Sequence, residues 1–199
     1  LAQLGEERFR REMDCEFVIN DETLIAPIKL MDLEGTEPMH RTGQVRWYKT
    51  PVKDGMYVVA LDPSLGTGGD YGAIQVFEMP SMEQVAEWRH NLTPIQVQVK
   101  HLREVCKYIQ DRSIELGGTS AQIYYSVENN TLGEAALIVI NNLGEENFPG
   151  LFLSEPIRKG HVRKFRKGFN TTHRSKITAC SQLKHMLETG KMKIFSKPL

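Results

Sequence analysis

Apolar residues along this chain fall into runs of two kinds. Tyr57-Val58-Val59-Ala60-Leu61 is an unbroken run of strand-formers closed by Asp62, and Ile74-Gln75-Val76-Phe77 and Ala86–Trp88 read as a following hairpin. A long helix is predicted next, with Thr93 capping it and Pro94 opening it. Leu102, Val105 and Ile109 recur at i, i+3 and i+7, with Cys106 alongside, so this helix buries one stripe and ends at Gly117-Gly118. Ile123-Tyr124-Tyr125 and Val127 form another buried strand, closed by Glu128. A helical run from Leu132 to Ile140 follows, with Asn130 or Thr131 as its cap. Leu151-Phe152-Leu153 reads as a short strand. A last helix, capped by Ser175 or Thr172, turns Ile177, Cys180, Leu183 and Leu187 inward, and Met192–Phe195 closes the pattern as a strand.

The N-terminal quarter is less regular. Residues 4–14 read as a helix, with Phe9 and Met13 on one face, and residues 15–18 as a short strand. Residues 20–56 carry Gly35, Pro38, Gly43, Pro51 and Gly55 with weak periodicity, as in a linker holding short strands such as Gln44–Tyr48. The core domain is expected to begin at Met56.

The chemistry sits where strands end. Asp62 stands at the mouth of a central strand, beside a turn rich in glycine (Gly66, Gly68, Gly69). An ordinary hairpin whose Asp starts a turn would show the same segment. Such a hairpin has no need of a second strand that also ends in an acid, and Glu128 supplies one. If the two strands are adjacent and parallel, the two carboxylates meet. They are then stable together only with a cation between them or a proton on one. Carboxylates and water suit Mg2+ or Mn2+.

Hairpin strands, helix, strand, helix is the order of a ribonuclease H-like fold, an α/β mixed sheet flanked by helices. The residues carry a closer resemblance. LDPSLGTGGDYGA followed by SVENNTLGEAA is similar to the nuclease domain of the large terminase subunit of tailed bacteriophages. There the first acid closes a strand in an LDxSxGxGxDY-type segment and the second precedes an Asn-rich turn and a glycine. The matching positions are Asp62, Ser64, Gly66, Gly68, Asp70 and Tyr71, then Glu128, Asn129, Asn130 and Gly133. Gly168-Phe169-Asn170-Thr171-Thr172 before Arg174-Ser175-Lys176 resembles the family's later polar turn, so the likeness runs over about residues 57–195.

The resemblance implies a metal-dependent endonuclease that cuts concatemeric phage DNA during packaging, with Asp62 and Glu128 as catalytic acids and ligands to two Mg2+ or Mn2+ ions. Asp70, Ser64 and Lys176 become supporting candidates around the metals. It also implies a small terminase subunit and a portal ring at the procapsid as partners, in the host cytoplasm. Residues 1–55 then correspond to the end of a motor ATPase domain and its linker, and 56–199 to the nuclease domain. No GxxxxGK[ST] segment is present, and the family's third acid follows the last strand, where this chain stops at Leu199. The expectation is a fragment truncated at both ends and therefore inactive as a nuclease by itself.

Asp62-Pro63-Ser64-Leu65-Gly66-Thr67-Gly68-Gly69 also resembles the first phosphate loop of actin-like ATPases and sugar kinases. That family requires a second glycine-rich loop after a later strand, where this chain has Glu128-Asn129-Asn130. A DNA-binding fragment without chemistry is the third reading.

Composition narrows the choice only a little. The 199 residues, 40% hydrophobic and 25% charged, suit one sizeable soluble domain plus an appendage. No apolar run of about 18 residues is present to span a membrane. Three scattered cysteines, Cys15, Cys106 and Cys180, argue against a disulfide framework, and the histidines show no metal-ligand spacing. Charge changes the picture more. The net charge is zero, yet Pro156–Leu187 holds nine Lys/Arg and no acid. Arg158, Lys159, Arg163, Lys164, Arg166 and Lys167 crowd one loop, and Arg174 follows. Such a stretch attracts the phosphates of double-stranded DNA. Phe165 and Phe169 are expected to anchor this loop to the core.

Overall fold

The computed structural model describes residues 24–25, 29–30, 33, 35–159 and 162–197, without the side chains of 157–159 and 162–163. The helix expected over 4–14, the strand over 15–18 and Cys15 lie outside the described residues.

The elements run in chain order β1 (His40–Thr42), β2 (Val45–Trp47), β3 (Met56–Asp62), β4 (Gly72–Met79), β5 (Glu83–His90), α1 (Ile95–Glu115), β6 (Gln122–Val127), α2 (Thr131–Leu143), β7 (Leu151–Phe152), β8 (Ser154–Lys159), β9 (Val162–Lys167) and α3 (His173–Glu188). Seven strands form one mixed sheet in the order β1-β2-β5-β4-β3-β6-β7. The meander β3-β4-β5 is antiparallel, while β6 and β7 join β3 in parallel. Two parallel neighbours cannot be linked by a tight turn, and α1 supplies the crossover from β5 to β6. This is the α/β, ribonuclease H-like sheet that the order of apolar runs implied.

Alternation along the strands decides what faces what. In β3, Tyr57, Val59 and Leu61 are buried, whereas Asp62 and Ala60 are exposed on the opposite face. In β6, Ile123, Tyr125 and Val127 are buried on that same inner side. Helices α1 and α2 pack on each other, on β3 and on β6. Helix α1 brings Val99, Leu102, Val105, Cys106 and Ile109 into the core, as its periodicity required.

The glycine- and proline-bearing stretch before Met56 contributes more than a linker. Hairpin β1–β2 extends the sheet through β2 and β5, in the register Arg46↔Glu87 and Trp47↔Ala86. Trp47 packs against Tyr108 of α1 with ring centroids 4.3 Å apart and planes tilted by 38°, and His40 shares a 2.9 Å hydrogen bond with the Tyr108 hydroxyl.

Five expectations need correction. Pro94, not Thr93, occupies the cap position of α1; Thr93 instead shares a hydrogen bond with the His90 ring at 2.8 Å. The basic stretch is a hairpin, β8–β9, rather than a loop. Phe165 does not anchor it, being 70% exposed; the ribbon is held instead by main-chain bonds at its base. Helix α3 has the reciprocal Thr172–Ser175 cap, but of its expected inward residues only Leu187 is buried, and Ile177 is 55% exposed. Finally, Met192–Phe195 makes one isolated bridge, Lys193 to Glu83 of β5, and not a regular strand.

Candidate active site at the ends of two parallel strands

Strands β3 and β6 run side by side up to Leu61↔Val127, and the Glu128 amide then donates to the Leu61 carbonyl at 2.9 Å. Asp62 and Glu128 are therefore neighbours at the carboxyl ends of two central parallel strands. Partial desolvation, then the polar contact with the Glu128 side chain, then the charges of Glu128 and Asp70 push the Asp62 carboxyl up to about 6. Among the described residues, every group acting on Asp62 through charge is itself an acid. The pair is thus an electronegative point that takes up either a proton or a cation. Glu128 is oriented from behind by Asn130, whose amide donates to Oε1 at 2.8 Å.

The backbone around the acids admits little change. Helix α2 begins so close to Glu128 that a Cβ at Gly133 would lie 1.9 Å from the Glu128 carbonyl oxygen. At Gly66 the chain has φ +71°, and a Cβ there would sit 2.2 Å from the Thr93 carbonyl oxygen. These contacts give a physical reason for glycine at two positions of the resemblance.

Ser64, two residues past Asp62, is buried. Its amide donates to Gln98 Oε1 at 3.1 Å, and Gln98 Nε2 donates to the Ser64 and Thr93 carbonyls at 2.8 and 2.6 Å. Gln98 thus clamps the glycine turn to α1. The sequence reading missed it, although a buried glutamine on an otherwise apolar stripe (Gln98, Leu102, Val105, Ile109) was a visible signal.

The oxygen donors fit a hard divalent cation. Besides the two carboxylates, Ser64 Oγ and Asn129 Oδ1 are buried without a hydrogen-bond partner among the described residues. No group of three or more His, Cys, Asp or Glu clusters as a closed metal cage among the described residues. Asp70 is exposed and reaches the pair through its charge. Lys176 lies in the first turn of α3, and no hydrogen bond or ion pair joins it to either acid among the described residues.

The basic ribbon starts where the acids end. Asn129 donates from its amide to the Phe169 carbonyl at 2.7 Å and from Nδ2 to the Lys167 carbonyl at 2.8 Å, and the Phe169 amide donates to the Val127 carbonyl at 2.9 Å. Gly168, at φ +75°, permits this contact, since a Cβ would meet the Val127 carbonyl at 2.5 Å. Lys164 and Arg166 are exposed on one face of β9. Lys167 is committed to an ion pair with Glu145 and lies 5.7 Å from the Phe152 ring. The side chains of Arg158, Lys159 and Arg163 lie outside the described residues, though their backbones pair across the hairpin. Arg174 lines an open cavity of about 340 Å³ with Phe169, Thr172, Ser175 and Thr178. No helix among the described residues is long and apolar enough to cross a membrane.

No family model matches the sequence, and no curated protein matches it. Solved structures do match the fold. The large terminase nuclease of thermophilic phage G20c with bound magnesium is similar at TM-score 0.58 and 15% identity, over 84% of this chain and 73% of that one. The Thermus phage P74-26 large terminase nuclease domain is similar at 0.55 and 15%, over 84% and 71%. The manganese-soaked human cytomegalovirus terminase nuclease domain is similar at 0.51 and 13%, over 87% and 76%. The chain has the fold of a terminase nuclease domain, spread over most of its length.

Proposed function

We propose that this chain is the endonuclease part of a viral DNA-packaging terminase, which cuts concatemeric genomic DNA with the help of Mg2+ or Mn2+. The observation that carries this reading is the meeting of Asp62 and Glu128 at the ends of β3 and β6, two acids with no cation among the described residues acting on Asp62 to offset them. Asp62 and Glu128 would hold two metal ions, with Ser64 and Asp70 as supporting oxygens. Bound there, divalent ions supply an activated water and charge stabilisation for the leaving oxygen of a phosphodiester. The protein's own part is to fix the carboxylates on strand ends, through Asn130, Gln98 and the Gly133 contact, and to hold the duplex. Lys164 and Arg166 on β9, with Arg158, Lys159, Arg163, Lys167 and Arg174 around them, would meet the DNA backbone. A small terminase subunit and a portal, in the host cytoplasm, would be the partners of the intact enzyme.

Two carboxylates leave most of a metal's coordination shell to water, so weak binding and little or no nicking are expected of residues 1–199. Titration calorimetry with Mn2+ tests the site directly. Asp62→Ala should abolish the binding seen in the parent, and an unchanged affinity would remove Asp62 from the metal site. ATP hydrolysis that depends on Asp62 would favour the actin-like alternative.

A further inference from the structure

Phe165 is an apolar side chain with no core to fill. It is 70% exposed, on the strand that also carries Lys164 and Arg166. Its partner in the register of hairpin β8–β9 is Pro156, which is exposed as well. Residues directly opposite one another share a face, and neighbours along a strand alternate. Phe165 and Pro156 therefore occupy one face of the ribbon, and Lys164 and Arg166 the other. An exposed apolar pair on a two-stranded ribbon invites contact with another surface. The cations on either side of Phe165 in sequence select a polyanion as that surface.

Two features fit the major groove of a duplex. The first is shape. Paired strands lie about 4.8 Å apart, so a two-stranded ribbon enters a groove about 12 Å wide. With the Phe165 face on the base edges, Lys164 and Arg166 point away from the floor, toward the phosphates that rim a groove about 8.5 Å deep. Their long stems let the charges reach that rim. The opposite orientation would leave Phe165 in water. The second feature is distance. Phe169 bridges to Glu128, and Phe165 comes four residues before it. At about 3.4 Å per residue, Phe165 is no more than about 14 Å from that bridge. A ribbon seated in the groove thus leaves the acids beside a sugar–phosphate strand that borders it.

We propose that hairpin β8–β9 lies in the major groove of duplex DNA with Phe165 against the base edges, where it meets the C5-methyl group of thymine. That methyl is the apolar feature the major groove offers to a phenyl ring. The ribbon then adds a mild preference for thymine to contacts otherwise made by charge. This deepens the nuclease reading and rests on it for the ligand, but its test needs no cleavage.

The experiment measures anisotropy of two fluorescent A·T-rich duplexes of one sequence, one built with thymine and the other with uracil, which lacks the methyl. The whole chain should bind the thymine duplex roughly fourfold more tightly, the worth of about one buried methyl group. Phe165→Ala should erase that ratio and leave the slope of log affinity against log salt unchanged, because no phosphate contact is lost. Lys164→Ala should do the reverse, flattening the slope by about 0.9 and keeping the ratio. Equal affinity of the parent for the two duplexes overturns the proposal, and so does an undiminished ratio in Phe165→Ala. Dimethyl sulfate gives a second reading on the parent alone, with a duplex of mixed sequence. Guanine N7 lies in the major groove and adenine N3 in the minor, so saturating protein should protect N7 and spare N3. Protection of N3 with N7 left reactive overturns the placement. Mn2+ titration of the same preparations separates the two claims. A parent that binds duplex but no Mn2+ overturns the nuclease reading alone, and one that binds Mn2+ but no duplex overturns this proposal alone.

Discussion

Asp62 and Glu128 end strands whose alternate residues are sealed in the core, whereas Lys164 and Arg166 stand exposed on a two-stranded ribbon apart from the main sheet. The two regions touch at Glu128, Asn129, Lys167 and Phe169 but are built by different means. The acids inherit their precision from packing: Leu61 and Val127 are buried beside them, and Gly133 lets α2 close against the Glu128 carbonyl. The ribbon is tied at its base by main-chain bonds and by the Asn129 side chain, and among its described side chains Lys164, Phe165 and Arg166 are exposed. A free two-stranded ribbon is at best marginally stable, so its position depends on that base. Chemistry needs a fixed pair of oxygens, while a DNA backbone of varying sequence needs only charge at the right flank.

The largest expected contrast is in stability. Leu102 in α1 is fully buried, and Leu102→Ala should cost about 2–5 kcal/mol in urea denaturation. Ile177 of α3 is more than half exposed, and Ile177→Ala should stay within about 0.5 kcal/mol of the parent. A cost above 2 kcal/mol for Ile177→Ala would break the division into a packed body and a lightly attached C-terminal part.

The second contrast concerns charge at the site. The Asp62 carboxyl is raised to about 6 from an ordinary value near 3.8, so the folded protein binds a proton more readily than the unfolded chain does. The stability this contributes is fully present below about pH 4 and is lost as pH rises through about 6. Asp62→Asn mimics the protonated acid at every pH. It should therefore match the parent at pH 4 and exceed it at pH 7.5 by on the order of 1 kcal/mol, a figure discounted because the residue is partly solvated. Melting temperatures at several pH values read this difference. A gap that does not change with pH would mean that the crowding of the two acids costs the fold nothing.

What the sequence revealed divides along the same line. The strand carrying Asp62 and the strand carrying Glu128 were legible because unbroken strand-former runs announce strands buried between neighbours, and each ended in an acid that no packing rule demands. That the two strands lie adjacent and parallel is only suggested by the acid closing each of them, and the register Leu61↔Val127 meets that condition. Hairpin β8–β9 was hidden because its strands hold only Ile157, Val162 and Phe165 among many cations, so no alternation marks a face. In α3 the 3.6-residue period was visible, but a period names a stripe and not the surface that covers it.

The smallest effect on stability belongs to the ribbon, and there the sharpest functional separation is expected. Lys164 and Arg166 are exposed on one face of β9, so Lys164→Ala/Arg166→Ala should change folding stability by less than about 0.5 kcal/mol. If both cations neutralise phosphates, each releases counterions when DNA binds, and the double variant should flatten the salt slope by roughly 1.8. Lys167→Ala is the internal control. Its ammonium is already paired with Glu145, so binding DNA would mean exchanging one anion for another, and the slope should change by much less. Anisotropy with random duplex across a salt series measures all three. Equal slopes for the double variant and the parent would place the DNA elsewhere on the molecule. A full drop for Lys167→Ala would show that the Glu145 pair opens when the duplex arrives, which would make the ribbon's base, and not its exposed face, the main contact.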